Sequence, residues 1–296
     1  MIRDLFSLCK PRLSALVIVT AAIGAVLHPV FHENLASSSG FMELIRVTLA
    51  IFGVTMLVGS ANAFNCYLER EIDRHMKRTQ DRPLATGRLS PRTGFIWASF
   101  LFVVSILLID LNSNTLSTVL GLVAFATYVL VYTPLKQKSK LAVYVGALPG
   151  ALPPVIGWTI VAGDFGLVAS ILFSILFLWQ IPHFIAIAVF RDEEYRQAGL
   201  ITVPQVDGER SASLQLLGFS SLLILVSFLP CAFDLASRRY LVGAVISGIV
   251  FLGLCLYSLQ KNGSPRWMRF VFFGTLAYLP IVLGLWLVDQ MLFKGG

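Results

Sequence analysis

Long apolar runs separated by short polar joints dominate this chain. Nine can be placed, over about 12–32, 43–65, 93–111, 115–133, 141–162, 166–190, 213–233, 239–260 and 269–292. Each can cross ~30 Å of hydrocarbon as a helix, an element that satisfies its own backbone in lipid. The joints carry turn residues: Ser37-Ser38-Ser39-Gly40, Asn112-Ser113-Asn114, Gly163-Asp164 and Asn262-Gly263-Ser264-Pro265. Pro149, Pro153 and Pro154 in the fifth run, and Pro182 in the sixth, are expected to kink their helices and free backbone carbonyls. Such breaks belong against a cavity or neighbouring helices. The expected fold is therefore all-α, a polytopic bundle of nine transmembrane helices. No polar stretch is long enough for a soluble domain, so residues 1–296 are expected to form a single transmembrane domain.

Composition agrees with this pattern. The chain is 56% hydrophobic and 13% charged, with a mean hydropathy of +0.79, which excludes an ordinary soluble domain. The lipid bilayer is the expected surrounding partner, and no nucleic-acid partner is expected. The first run follows Lys10-Pro11-Arg12, is too long for a signal-peptide core and lacks a small-residue cleavage site. The four cysteines (Cys9, Cys66, Cys231, Cys255) lie in or beside apolar segments without a CxxC spacing. They are expected to be packing residues or inert thiols.

Charge sets the orientation. With nine spans, the N-terminus and every even-numbered loop share one side of the membrane. That side collects the basic residues; only Arg46, Arg238, Arg239 and Lys294 fall elsewhere. Lys and Arg accumulate in the cytoplasm, so the N-terminus and long loops are expected inside a bacterial cytoplasmic (inner) membrane, with the C-terminus outside.

Acids contribute little to orientation, yet they cluster in two of these inner loops. One holds Glu69, Glu71, Asp73 and Asp81; the other holds Asp192, Glu193, Glu194, Asp207 and Glu209. A solvated, salt-bridged loop would account for charge alone. The spacing points further. Asn65, Glu69 and Asp73 recur every fourth residue, and on a helix each such step advances only about 40°. They continue the phase of the second span, so they would face the bundle at the membrane boundary, where an unpaired acid is costly. Magnesium prefers hard oxygen ligands and is often held by one or two carboxylates plus substrate phosphates. A diphosphate so held, with Arg and Lys around it, becomes a good leaving group. An allylic diphosphate would leave a carbocation, which aromatic faces stabilise and an apolar pocket protects from water.

Asn65 through Pro83, with Leu84, Gly87 and Ser90-Pro91, resembles the first aspartate-rich motif of the intramembrane UbiA-type prenyltransferases. Four further segments resemble the protoheme IX farnesyltransferase (haem O synthase) branch. They are Lys10-Pro11-Arg12; Tyr132-Thr133-Pro134-Leu135-Lys136 with Gly146, Gly150 and Pro153-Pro154-Val155-Ile156-Gly157-Trp158; Leu178 through Phe184 with Phe190-Arg191; and Tyr195 through Leu200 with Pro204. The resemblance covers about residues 8–210, and the last three spans add only hydropathy. His183 stands where quinone prenyltransferases carry an aspartate-rich second motif.

The resemblance implies nine helices around a central cavity. It implies transfer of a farnesyl group from farnesyl diphosphate to the 2-vinyl group of haem b, with Mg2+ as cofactor and haem O as product. Haem A synthase or terminal-oxidase assembly would follow as partner. Asn65, Glu69 and Asp73 take the catalytic positions, with Glu69 and Asp73 meeting magnesium through the diphosphate. Arg74, Lys77, Arg82, Lys136, Lys138 and Arg191 are the expected diphosphate-binding cations. Glu194 and Tyr195 belong to a reduced second motif, and His183 is the haem-binding candidate. Glu69, Glu71 and Glu194 replace aspartates usual in the family, and Cys66 replaces a common asparagine. Two other readings remain open to the residues alone: a related enzyme acting on a quinone precursor or chlorophyll-like ring, and a transporter. Transport predicts ionisable groups deep in several spans, whereas these gather at one face.

Overall fold

The computed structural model describes residues 1–261 and 263–293. Asn262 and Lys294 lie outside the described residues, as does the side chain of Arg12. Among the described residues every regular element is a helix. Helix α1 (Ile2–Leu8) precedes α2 (Pro11–Val26), α3 (Pro29–Ala36) and α4 (Gly40–Leu68). A one-turn α5 (Arg70–Asp73) follows, then α6 (Pro91–Asn112), α7 (Thr115–Ala126) and a π-helical segment (Thr127–Tyr132) that runs into α8 (Thr133–Leu135). Beyond these come α9 (Ala142–Ala162), α10 (Leu167–Phe190), α11 (Asp192–Gln197) and α12 (Val203–Asp207). The last four are α13 (Glu209–Val226), α14 (Leu229–Ala232), α15 (Arg238–Gln260) and α16 (Pro265–Phe293).

Among the described residues, eight helices are long and apolar enough to span a bilayer, and the bent pair α2–α3 makes a ninth. This agrees with the apolar pattern, with one correction. The first run is not one straight helix: it turns by 75° between Val26 and Pro29. Proline disfavours the helical conformation in the residue before it, and His28 is extended, with φ −81° and ψ 125°. Pro149, Pro153, Pro154 and Pro182, expected to kink their helices, sit inside α9 and α10, and Pro149 and Pro153 line the cavity. All four are buried, and close packing holds these helices together through the missing donors.

Helices α9 and α10 form the centre. Of their most apolar stretches 72% and 61% is buried, against 28% for α4 and α6. The outer helices turn Leu, Ile, Val and Phe side chains outward, as a lipid-facing surface requires. Helices α2, α4 and α7 pack with α9 around Ala21, Ala25, Val54, Leu57 and Ile156. Helices α10, α13, α15 and α16 pack around Leu172, Ile175, Phe251, Tyr278 and Trp286. Helices associate in lipid where small residues let backbones approach. At the α2–α9 contact a Cβ on Gly24 would stand 1.9 Å from the Pro154 carbonyl oxygen, and one on Gly157 would stand 1.8 Å from that of Ala21. The two halves enclose one large cavity.

Candidate active site

The cavity measures about 1520 Å³ and is lined from both halves. Its deep wall is apolar or aromatic, from Leu16, Val54, Leu57, Phe125, Pro153 and Ile156. Its mouth is charged, from Lys10, Glu69, Asp73, Lys77, Arg78, Arg82, Lys136, Arg191 and Glu194.

The end of α4 builds the acidic edge. The helix formally ends at Leu68, but hydrogen bonds from Glu69 N to Asn65 O (2.9 Å) and Asp73 N to Glu69 O (2.8 Å) carry its phase into α5. Asn65, Glu69 and Asp73 therefore share one buried edge, exposed by only 1%, 9% and 2%. Each meets a cation. Lys10 Nζ donates to Asn65 Oδ1 at 2.6 Å. Lys136 Nζ lies 2.5 Å from Glu69 Oε1. Arg82 Nη1 donates to both Asp73 oxygens, at 2.8 and 2.7 Å. Asn65 Nδ2 donates to Thr133 Oγ1 at 3.3 Å, tying this edge to α8.

Electrostatics at the mouth reflects burial and pairing together. Burial pushes the Lys10 ammonium down to about 8, reinforced by Arg82 and Lys136 against the opposing pull of Glu69. Burial would raise the Glu69 carboxyl, but Lys136 and then Lys10 hold it below its usual range. Burial raises the Tyr195 phenol.

The second acidic loop closes the mouth from the opposite side. Arg191 Nη1 pairs with Glu194 Oε2 at 2.9 Å, and Glu194 Oε1 accepts from the Arg78 backbone N–H at 3.3 Å. The two inner loops thus meet directly. Ile201 N donates to Lys136 O at 2.9 Å, anchoring the segment after α11 to the loop after α8.

Arg74 and Lys138 correct the expectation that both would face the diphosphate. Neither belongs to the described cavity lining. Arg74 follows Asp73 by one residue, so it points about 100° away; its guanidinium is held by Ala85 O at 2.9 Å and Glu71 Oε2 at 2.6 Å. Lys138 lies two residues past Lys136 and is exposed. Lys77, Arg82, Lys136, Arg191, Glu194, Tyr195 and His183 all line the cavity.

Several other residues line the cavity, some of them seen in the sequence only within motifs and some not at all. Lys10 was visible only as part of a motif. Tyr128 and Tyr132 enter through the π-helical segment, with ring centroids 5.4 Å apart. Such segments widen a helical turn and recur at functional sites. Lys136 lies over the Tyr132 ring at 4.6 Å. Gln180 fills the space left by Gly150, where a Cβ would stand 2.0 Å from Oε1. On α16, Arg269, Phe272 and Leu276 reach the cavity, although hydropathy alone marked that span.

The donor set fits a metal bridged by substrate rather than a protein cage. Among the described residues no group of three or more His, Cys, Asp or Glu side chains could hold an ion. Glu69 and Asp73 offer two carboxylates and Asn65 an amide oxygen, the hard oxygen donors that would suit Mg2+ if substrate phosphates supplied the rest.

A sequence model described as the UbiA prenyltransferase family matches residues 16–277. The chain belongs to the UbiA prenyltransferase family. A Myxococcus xanthus relative named protoheme IX farnesyltransferase is 44% identical over 276 residues, covering 93% of this chain and 90% of the relative. The fold resembles a solved structure of digeranylgeranylglyceryl phosphate synthase, with a TM-score of 0.81 at 18% identity, covering 98% of each chain. A UbiA homologue from Archaeoglobus fulgidus bound to GPP and Mg2+ matches with a TM-score of 0.61 at 16% identity, covering 95% of this chain and 99% of the other. The chain is thus an integral membrane prenyltransferase with the UbiA fold.

Proposed function

We propose that this enzyme transfers the farnesyl group of farnesyl diphosphate to the 2-vinyl group of haem b, producing haem O and diphosphate. One observation carries the reading: a single cavity joins a mouth of acids and cations to a deep apolar and aromatic chamber. The two ends suit the two ends of a prenyl diphosphate. The protoheme IX farnesyltransferase relative, 44% identical along nearly the whole chain, supports haem b over a quinone precursor as acceptor.

The diphosphate binds at the mouth, where Lys10, Lys77, Arg82, Lys136 and Arg191 neutralise its charge. Mg2+, held through the diphosphate by Glu69 and Asp73 with Asn65 alongside, supplies Lewis-acid stabilisation of the leaving group when bound. Before substrate arrives Lys136 holds the Glu69 carboxyl below its usual range, and Arg82 pairs with Asp73. As the C1–O bond breaks, its electron pair leaves with diphosphate and the prenyl cation remains against Tyr128, Tyr132 and Phe125. The vinyl π electrons form the new C–C bond to C1. The resulting cation beside the porphyrin takes a water oxygen, and loss of one proton leaves the hydroxyl of haem O. The apolar wall keeps water from the prenyl cation until that bond has formed.

The clustering of basic residues supports a bacterial inner membrane with the N-terminus and cavity mouth cytoplasmic and the C-terminus outside. Haem O would pass to a haem A synthase or to terminal-oxidase assembly. The test is incubation of the purified protein with haem b, farnesyl diphosphate and Mg2+, read by mass spectrometry. A hydroxyethylfarnesyl adduct that disappears with a chelator is expected; prenylation of a quinone precursor with haem b untouched would overturn the reading.

A further inference from the structure

Helix α16 carries a polar constellation that the diphosphate chemistry does not use. Thr275 is fully buried, and its hydroxyl donates to Phe272 O at 2.6 Å. Its hydroxyl proton is thereby committed, so the 2.8 Å contact with His183 Nδ1 requires the imidazole to donate. A neutral imidazole protonated on Nδ1 has its lone pair on Nε2. Trp179 clamps the same turn, its Nε1 donating to Thr275 O at 2.7 Å. The His183 ring packs against Trp179, stacked at 4.9 Å, Phe272, tilted at 4.8 Å, and Phe184, edge-on at 5.7 Å. With Nδ1 bonded, Nε2 is the remaining ring nitrogen of a residue that lines the cavity. Among the described residues no hydrogen-bond partner meets Nε2.

The cavity-lining face of α16 carries Arg269 one turn before Phe272. Its guanidinium lies over the Phe190 ring at 5.6 Å, beside Arg191 over the same ring at 5.8 Å. Arg191 is paired with Glu194; Arg269 meets no carboxylate among the described residues. Six residues of helix, about 9 Å, separate it from Thr275.

We infer that α10 and α16 form the acceptor subsite: Thr275 fixes His183 so that Nε2 ligates the haem iron, and Arg269 binds a haem propionate. Neutral imidazole is a haem-iron ligand, and a partner on its other nitrogen sets tautomer and ring orientation. Guanidinium is the side chain best shaped for a carboxylate. A porphyrin carries its propionates on one edge, and His183 and Arg269 line the same cavity. Thr275 is a positioning residue here, acting through His183. The inference rests on haem b being the acceptor.

The test is titration of the full-length protein with ferric haem b, followed by the Soret band. Wild type should give an imidazole-ligated spectrum. Thr275→Val should shift that band and weaken haem binding by about 10- to 100-fold, Thr275→Ser should restore both, and farnesyl diphosphate affinity should be the same in all three. Arg269→Gln should weaken binding of haem b about 10-fold without changing that of its dimethyl ester, which lacks the propionate charge. An unshifted band with unchanged affinity in Thr275→Val, or failure of Thr275→Ser to rescue, overturns the role of Thr275. Equal losses for haem and ester overturn the propionate contact. If wild type makes haem O while either result is obtained, the subsite alone fails; if wild type makes none, the reading of function fails with it.

Discussion

Lys136 Nζ stands 2.5 Å from Glu69 Oε1, and this pair joins the end of α4 to the loop after α8. Both side chains are largely buried, exposed by 19% and 12%. Removing one partner of such a pair leaves an uncompensated charge, at a cost of about 3–5 kcal/mol, whereas replacing both is often near neutral. Lys136→Met should therefore lower thermal stability in detergent more than the double variant Lys136→Met/Glu69→Gln. The double variant should regain stability yet remain inactive, because the carboxylate and the cation are both absent from the mouth. Equal activity of wild type and double variant would remove this pair from the site.

Asp73 makes a sharper test of metal-assisted ionisation. Asp73→Asn keeps size and shape but removes the charge that pairs with Arg82. Prenyl transfer should fall by at least about 100-fold, the scale of losing one aligned transition-state stabiliser. Membrane insertion should be unchanged, since the apolar spans are untouched. Asp73→Glu should retain partial activity with a raised requirement for Mg2+, measurable as a rightward shift of its activation curve.

The spacing that placed Asn65, Glu69 and Asp73 together was legible because a helix converts a period of four into one face, and the backbone bonds continue that period past Leu68. Hydropathy marked the spans for an equally simple reason: lipid demands long apolar runs with internally satisfied backbone. Side-chain direction beyond a helix end was not legible. Arg74 and Lys136 look equivalent as letters, yet Ala85 O and Glu71 hold one outside while Glu69 holds the other inside. Nor could composition reveal Thr275, a lone hydroxyl whose meaning depends on His183 packing against it from another helix.

Lys10 gives the site a pH dependence. Burial above all brings its ammonium down to about 8, so the charge facing Asn65 is present below that pH and lost as pH rises through it. The folded state holds this proton less tightly than the unfolded chain, whose lysines titrate near 10.4. The charged form thus costs stability below about pH 8, and that cost is relieved between there and the unfolded value. For substrate the sign is opposite. The KM for farnesyl diphosphate should rise as pH passes 8, with bound diphosphate moving the inflection upward. Lys10→Arg, whose guanidinium stays charged, should remove the inflection. A KM flat from pH 7 to 9.5 in wild type would separate Lys10 from diphosphate binding.

The α2–α9 contact holds one wall of the cavity, and its closeness depends on two glycines. A Cβ on Gly157 would stand 1.8 Å from the Ala21 carbonyl oxygen. Backbone cannot yield as a side chain tip can, so α2 must move away from α9. Gly157→Ala should destabilise the bundle by about 1–3 kcal/mol or more, the range for overpacked cores. Displacing α2 also moves Leu16, Val17 and Thr20, which line the chamber, so prenyl transfer should fall even below the unfolding temperature. Gly218→Ala is the matched comparison. That glycine lies inside α13 with nothing within 4 Å of a new Cβ, and helical Gly→Ala favours the helix by about 0.4–1 kcal/mol. Thermal unfolding in one detergent should therefore move the two variants in opposite directions. A Gly157→Ala protein as stable and active as wild type would mean that the α2–α9 approach is dispensable.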